Sequence, residues 1–277
     1  QNGLVMRKAL EYSKMFNVPI INHAEDDCLR ANGLMNEGIV STKLGLSGNP
    51  NIAESIMVFR DLKLAELTGA RLHVPHVSTA ESVKYINDMK NQYSKITAEV
   101  TPHHLFYTDE ALYEYDTNFK VAPPIRDRNS REALIQGIKD GVIDCIATDH
   151  APHTLEAKAK GFPNAPSGMP GVETSLAVML NYVNQGKCSI EDVVRWMSSN
   201  VADCYRMIGK GKLEVGYDGD IVLVDMNHSA VVEDENSWTR VGWNPFRGRK
   251  LTGWPVLTVV EGIPCLLYTS PSPRDRG

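Results

Sequence analysis

The stretch from Asp140 to His153, DGVIDCIATDHAPH, combines an apolar run with ionisable side chains placed directly after it. Val142–Ala147 is continuous enough to be a strand buried on both faces of a parallel sheet. Three similar runs precede it, each followed by a polar loop and an amphipathic helix: Val18–Ile21, Arg71–Val74 and Ile96–Val100. Alternation of strand and helix predicts an α/β fold whose parallel strands are joined by helical crossovers.

The predicted helices alternate with the predicted strands along residues 1–210. One opens behind Asn49-Pro50, ends at Gly69 and carries one apolar stripe. That stripe consists of Ile52, Ile56, Phe59 and Leu62, and the other predicted helices are Leu4–Phe16, Ala80–Asn91, Ser130–Asp140 and Glu173–Asn184. Beyond Lys210 the sequence becomes glycine- and aspartate-rich, with predicted strands at Ile221–Val224, near Leu251 and at Val256–Val260. We therefore expect a barrel-type domain over 1–210 and a small β subdomain over 211–264.

Composition excludes several classes of protein. The 277 residues carry 29 basic and 34 acidic side chains, dispersed along the chain, so a nucleic-acid partner is not expected. No apolar stretch approaches the roughly 20 residues that span a bilayer, so neither a membrane partner nor a membrane location is expected. The five cysteines are scattered and form no C-x-x-C pair, which favours a reducing, cytoplasmic compartment and leaves histidine and carboxylate as metal ligands.

Ionisable residues follow each predicted strand: His23, His76, His103-His104 and Asp149-His150. Because the carboxyl ends of parallel barrel strands share one face, four successive strands deliver metal-type ligands to one rim. Imidazole and carboxylate suit a divalent ion such as zinc, which would lower the pKa of bound water from about 15.7 to about 7. The sequence thus predicts a metal-activated nucleophile.

Each of these residues also has a structural interpretation. A lone histidine at a strand end is more often a core histidine than a ligand, and we interpret His73, His103 and His104 in that way. Asp149 could cap a loop, although a carboxylate beside a buried strand favours a ligand or general base. We interpret Glu25-Asp26-Asp27 as a solvated loop, and Arg126 either as part of a rigid turn or as an anion holder.

Several strings together resemble the dihydroorotases of the amidohydrolase superfamily: INHAEDDCL, LGLSGNPNIAE, RLHVPHVSTAESV, TAEVTPHHLFYTDEAL, YDTNFKVAPPIR, DGVIDCIATDHAPH and GMPGVETSL. The resemblance runs from about Asn2 to Pro264. It implies a (β/α)8 TIM-type barrel with a small β subdomain, and the interconversion of N-carbamoyl-aspartate and dihydroorotate. The closest alternatives are an allantoinase, a dihydropyrimidinase, or a non-catalytic paralogue that scaffolds aspartate transcarbamoylase.

The resemblance also implies roles for individual residues. His23 and His76 would bind one of two Zn²⁺ ions, and Asp149 would bind the other and shuttle a proton. His153 would bind the substrate carboxylate. Ser167 and Gly168 would contact the pyrimidine ring through their backbone, and Ala122 stands where many relatives have a substrate-binding asparagine. Aspartate transcarbamoylase is a possible partner of such an enzyme.

Two features of this family are missing from the sequence: the H-x-H pair of the first strand and the bridging carboxylate or modified lysine. We therefore expect a partial barrel, roughly strands five to eight. Residues 265–277 resemble a translated sequencing adapter, and we expect them to be a non-native tail.

We predict that the 277-residue polypeptide, produced alone, is poorly soluble and inactive, because half a barrel would leave strand edges and an apolar wall uncovered. Expression followed by size-exclusion chromatography and an assay of dihydroorotate hydrolysis tests this. A soluble monomer with measurable hydrolysis would contradict it.

Overall fold

The computed structural model describes residues 2–267, which divide into two compact units between Met169 and Pro170. The strands are β1 Ile20–Ile21, β2 Met35–Asn36, β3 Gly48–Asn49, β4 Leu72–Val74, β5 Ile96–Val100, β6 Cys145–Ile146, β7 Ile221–Val231, β8 Lys250–Val260 and β9 Ile263–Leu267. The helices are α1 Gly3–Ser13, α2 Asp27–Arg30, α3 Ile39–Leu44, α4 Asn51–Thr68, α5 Ala80–Lys90, α6 Pro102–Phe106, α7 Arg128–Lys139, α8 Leu155–Lys158, α9 Val172–Asn184, α10 Ile190–Val194 and α11 Asn200–Tyr205. A π-helical segment, Arg195–Ser199, joins the last two.

The first unit is built on a parallel sheet of four strands in the order β1-β4-β5-β6. Ile20 pairs with Leu72, Leu72 with Ile96, and Glu99 with Cys145. These are the four strands expected from the sequence, and α4, α5 and α7 cross between them, which confirms the α/β class with a parallel sheet. All four strands therefore end on the same edge.

The apolar stripe predicted for α4 is wrong. Ile52, Ile56 and Phe59 are each nearly half exposed, and only Leu62 of that set is fully buried. The helix instead buries a face of smaller or more flexible side chains: Ala53, Met57, Val58, Leu62 and Ala65. Because α4 has two apolar faces, its periodicity alone does not show which of them packs inward.

The second unit contains a three-stranded antiparallel sheet in the order β7-β8-β9. The strand predicted at Ile221–Val224 continues to Val231, and the two strands expected near Leu251 and at Val256–Val260 are one continuous strand, β8. Bulges beside Val224 and Ser229 keep these long strands paired. Of the predicted tail, Cys265–Leu267 belong to β9 and residues 268–277 lie outside the described residues.

No helix within residues 2–267 is long and apolar enough to cross a bilayer. In the first unit the core lies between the sheet and its helices, and it includes Leu72, Ile86, Leu134 and Ile143, each at most 1% exposed. Gly137 of α7 permits a close approach to α5: a Cβ placed there would lie 2.9 Å from Val83 Cγ1. The absence of a side chain at this position therefore sets how tightly α7 packs on α5.

We predict that Gly137→Ala destabilises the protein by about 1 kcal/mol, although alanine is the better helix former by a similar amount. The new methyl group would overlap the β-branched Val83 side chain inside a packed core, and such overpacking costs about 1–3 kcal/mol. Urea unfolding followed by circular dichroism measures the change. Gly3→Ala in α1 is the matched control, since its Cβ would meet nothing closer than 3.9 Å, and equal stability of the two variants would contradict the prediction.

Candidate metal and substrate site

Two histidines face each other at the carboxyl ends of neighbouring strands. His23 follows β1 and His76 follows β4, and the pairing of these strands brings His23 Nδ1 to 3.1 Å from His76 Nε2. The two rings are edge to face, with centroids 4.8 Å apart. Two imidazole nitrogens directed at the same point form a donor set suited to a divalent cation.

Both His76 and Asp149 adopt left-handed backbone conformations. Their φ angles are +34° and +46°, a region in which residues other than glycine are uncommon, although aspartate and histidine tolerate it better than most. Such conformations cluster at functional sites, where the surrounding structure holds them in place. Asp149 is half-buried, not enclosed as its position after a buried strand suggests, and its neighbour His150 is exposed.

Carboxylates surround the two imidazoles. Glu25 chiefly, with smaller contributions from Glu54 and Asp149, raises the pKa of His23 against the effect of burial. The pKa of His76 is lowered by burial and by the neighbouring His23, while Asp149 and Glu54 oppose that shift. His76 is therefore kept in the neutral form that a metal ligand needs, and the site carries negative charge that would offset a bound cation.

Glu54 anchors the segment that follows His76. Its Oε1 accepts hydrogen bonds from Ser78 N (3.1 Å), Thr79 N (3.1 Å), Thr79 Oγ1 (3.0 Å) and Ser82 Oγ (2.8 Å), and its Oε2 accepts one from Ser78 Oγ. Burial alone would raise the pKa of Glu54, but the charge of Arg126 and the donors on Ser78 and Ser82 hold it below the usual value. A buried carboxylate on α4 thus fixes the turn that carries His76.

Arg126 lies inside the fold, near the charge of the internal carboxylate of Glu54. Its Nε donates to Ser78 Oγ at 3.1 Å, and its Nη1 donates to the carbonyl of Asn49 at 2.6 Å. The guanidinium therefore ties the segment before α7 to the turn after β4 and to the end of β3.

A cavity of about 640 Å³ opens beside this network. Arg30, Asn49, Lys120, Ala122 and Ser167 line it, so two of the predicted substrate-binding positions share one space. Among the described residues, its lining includes two basic side chains and no carboxylate. Burial, and then the charge of Arg30, lower the pKa of Lys120. Both basic groups have partners in the protein, because Lys120 Nζ donates to backbone carbonyls and Arg30 Nε lies 3.1 Å from Glu25 Oε2.

Two buried lysines hold the loops around this cavity. Lys158 Nζ donates to the carbonyls of Thr117 (2.9 Å), Pro166 (3.0 Å) and Lys120 (3.2 Å). Lys120 Nζ donates to those of Phe162 (2.6 Å), Ala165 (2.8 Å) and Pro163 (3.3 Å). The acceptors of Lys120 thus lie in the loop after Lys158, and two of the three acceptors of Lys158 lie in the segment before Ala122. Together the two lysines join that segment to the segment before Ser167.

The predicted substrate contacts His153, Ser167 and Gly168 lie together. His153 Nε2 is 3.0 Å from the carbonyl of Ser167, and Gly168 N donates to the carbonyl of Lys120 at 2.9 Å. Gly168 has a φ of +133°, and a Cβ there would lie 2.5 Å from the carbonyl oxygen of Ala151. Only glycine therefore lets this loop pass against the segment between Asp149 and His153. Since the Gly168 amide is engaged, a ring contact from this residue would use its carbonyl.

His73, His103 and His104 are buried and match the core interpretation. His73 has Nδ1 2.7 Å from Thr97 Oγ1 and Nε2 3.0 Å from Glu99 Oε2, and His104 contacts Thr101 and the carbonyl of Pro123. Within the described part of the chain, His73, Glu99 and Cys145 place possible ligand atoms within 4.8 Å of one another. Because both His73 nitrogens already have partners, we interpret this group as a polar network inside the core.

Sequence reasoning missed Glu54 and Lys158, and it misjudged Glu25, which is 6% exposed and not part of a solvated loop. A single acidic residue in the otherwise apolar first turn of α4 was an available signal for Glu54. For Lys158 the sequence offers no signal, because its acceptors are the backbone carbonyls of Thr117, Lys120 and Pro166. All seven predicted site residues lie in the first unit.

Comparison with known proteins shows a family relationship along most of the chain. The sequence profile of the Amidohydrolase family matches residues 5–264. A dihydroorotase from Endomicrobium trichonymphae is 45% identical over 262 residues, which are 94% of this chain and 62% of that protein. One from Syntrophus aciditrophicus is 46% identical and covers 94% and 61%. The chain thus spans about three fifths of the length of these curated relatives.

Solved structures of related enzymes share the fold. The L-hydantoinase (dihydropyrimidinase) of Arthrobacter aurescens superposes with a TM-score of 0.86 at 27% identity, covering 95% of this chain and 60% of that one. The dihydropyrimidinase of Brevibacillus agri gives 0.83 at 26% identity, covering 94% and 59%. Sequence similarity is therefore higher to dihydroorotases than to these structural neighbours.

We predict that Lys158→Met destabilises the first unit by about 2–4 kcal/mol at neutral pH, because three buried carbonyls lose their donor. Burial, reinforced by Lys120, lowers the pKa of Lys158 to about 8, so the folded chain binds this proton less tightly than the unfolded chain does. Stability of the wild type relative to the variant should therefore rise between about pH 8 and the ordinary lysine pKa of about 10.4.

Chemical unfolding at several pH values measures both effects. Lys160→Met is the matched control, since Lys160 lies two residues away in the same loop and is exposed. A difference in stability between wild type and Lys158→Met that stays constant over this pH range would contradict the assignment.

Proposed function

The chain belongs to the amidohydrolase family, and on that premise we propose that it carries the metal and substrate site of a dihydroorotase. The identity of about 45% to several dihydroorotases over more than nine tenths of the chain supports this. The observation that separates this activity from its neighbours is the higher sequence identity to dihydroorotases (45–46%) than to the dihydropyrimidinase and hydantoinase structures (26–27%). Dihydroorotate carries a carboxylate, whereas dihydropyrimidines and hydantoins are uncharged rings.

We propose that the Arg30 guanidinium, which lines the cavity and whose Nε pairs with Glu25, is the cationic group that meets the substrate carboxylate, while Lys120 holds backbone carbonyls instead. Arginine and lysine are the side chains that pair best with a carboxylate. Ala122 has no side chain to hydrogen-bond, so we propose that recognition of the carboxylate falls to cationic and imidazole groups, His153 among them. Ser167 and Gly168 would meet the ring through their backbone.

We propose that the four parallel strands are the later half of an eight-stranded barrel, roughly strands five to eight. The match to hydantoinase structures over about three fifths of their length supports this arrangement. The division into a barrel portion over 1–210 and a β subdomain over 211–264 is part of the same proposal. Partnership with aspartate transcarbamoylase stays a prediction from the resemblance.

Members of the amidohydrolase family depend on a metal, and the donors present here fit one. His23 Nδ1 and His76 Nε2 face each other, and the nearby carboxylate of Asp149 adds an oxygen donor. We propose Zn²⁺, two per complete site, because imidazole and carboxylate are ligands that it accepts. When bound, such an ion supplies Lewis acidity toward an amide carbonyl and an acidified water.

The chain's own residues would then perform the proton transfers and the orientation of the substrate. We propose that the Asp149 carboxylate takes a proton from the attacking water as the water oxygen bonds to the ring amide carbon, and gives that proton to the ring nitrogen as the C–N bond breaks. Its strained backbone fixes the direction of this carboxylate before the substrate arrives. Glu54 holds the turn that carries His76, and Lys120 and Lys158 hold the loops around the cavity. The imidazoles and the cavity wall therefore keep their positions relative to Asp149.

The activity can be tested with the chain joined behind the segment of the Endomicrobium trichonymphae relative that it does not match. We expect this protein to hydrolyse dihydroorotate in preference to dihydrouracil, hydantoin and allantoin. Asp149→Asn should lower kcat at least about 100-fold, the range typical of a lost general base, with KM little changed.

The control is Asp144→Asn, which removes a carboxylate close in sequence that pairs with Lys90, away from the histidines. Faster turnover of an uncharged ring than of dihydroorotate would favour the dihydropyrimidinase or allantoinase alternative. Full activity of Asp149→Asn would rule out the proposed proton shuttle.

A further inference from the structure

We propose that Glu25 is the positioning residue for His23: its carboxylate orients the ring so that Nδ1 is presented to the cation shared with His76. This inference rests on the proposed metal site and goes beyond it, because it concerns a residue that would touch neither metal nor substrate. The sequence alone places Glu25 in a solvated loop, and the structure places its carboxylate beside Nε2 of His23.

The two nitrogens of His23 face different partners. Nδ1 lies 3.1 Å from His76 Nε2, and Nε2 lies 3.6 Å from Glu25 Oε2, an ion-pair distance. An imidazole can leave Nδ1 unprotonated only if the ring proton sits on Nε2. A carboxylate beside Nε2 favours that tautomer, and it thereby leaves the Nδ1 lone pair directed toward His76.

The carboxylate of Glu25 is itself held in place. It is 6% exposed, Asn49 Nδ2 donates to its Oε1 at 2.7 Å, and Arg30 Nε forms an ion pair with its Oε2 at 3.1 Å. The next residue is fixed as well, because Asp26 N donates to the carbonyl of Ala53 at 2.8 Å. Glu25 is therefore a rigid acceptor.

The neighbouring acidic residues have other roles. The Asp26 side chain caps α2 by accepting from Cys28 N and Leu29 N, and Asp27 is exposed in the first turn of that helix. Glu54 acts on the backbone after His76. Glu25 is thus the carboxylate placed to act on the His23 ring, and carboxylate–histidine–metal arrangements of this kind fix the tautomer and raise the basicity of the ligand.

Zinc binding tests the inference without an activity assay. The 277-residue chain, fused to a solubilising carrier, is titrated with Zn²⁺ in competition with a chelator. We expect Glu25→Gln to weaken binding by about 10- to 100-fold, the usual effect of losing such a partner. Asp27→Asn is the matched control, because it removes an acidic charge two residues away that does not face the ring, and it should bind as the wild type does.

The tautomer of His23 is a second readout that a merely structural role would not change. Long-range proton–nitrogen NMR spectra of the metal-free chain should show the proton of His23 on Nε2 in wild type and Asp27→Asn. In Glu25→Gln they should show a mixture of tautomers. Thermal unfolding of each variant shows whether the fold is kept, and Glu25→Ala repeats both measurements with the acceptor removed.

The outcomes separate this inference from the proposed function. If His23→Ala abolishes zinc binding while Glu25→Gln and Glu25→Ala bind as the wild type does, the metal site stands and the role of Glu25 is wrong. If His23→Ala and His76→Ala bind as tightly as the wild type, the metal site itself is wrong. An unchanged His23 tautomer in Glu25→Ala overturns the inference whatever the zinc affinities are.

Discussion

Parallel pairing of β1 with β4 fixes the distance between two imidazoles that are 53 positions apart in the chain. Neither strand is long, and β1 contributes only two residues to the ladder. The pairing succeeds because β4 is fully buried and is held on its other side by β5. Once this register is set, the residues that follow each strand can only meet at the shared edge. The geometry of the site is thus a consequence of sheet order.

Charge balance at this edge depends on side chains from the helices and loops. The two imidazoles lie beside three carboxylates, Glu25, Glu54 and Asp149. Partial burial of this negative charge costs free energy unless other groups compensate it. Arg126 offsets the charge of Glu54, and Arg30 and Asn49 satisfy Glu25. The remaining negative charge lies close to the imidazole nitrogens, where a cation would neutralise it.

Much of this arrangement follows from the sequence, and the exceptions have identifiable causes. The strand at Ile96–Val100 and the ends of α4 at Pro50 and Gly69 match their predictions, because breakers and β-branched runs bound them. The strand predicted at Val142–Ala147 shortens to two residues because the amides of Val142 and Ile143 bond to Gly137 O and close α7.

The sequence predicts the side-chain networks less well than it predicts the strands. Residues at strand ends are informative because topology alone brings them together. The sequence therefore suffices to predict His23, His76 and Asp149 as site residues. Glu54 and Arg126 are 72 positions apart, and nothing in local composition links them. Lys158 is hidden for a related reason, since its partners are carbonyl groups that every residue possesses.

The left-handed backbone at positions 76 and 149 limits which ligands could ever occupy them. Asparagine, aspartate, histidine and glycine accept that conformation, whereas β-branched residues do not. An attempt to change the metal preference of this scaffold could therefore exchange imidazole for a short carboxylate or amide at either position. A longer or branched donor would need the turn itself to be rebuilt.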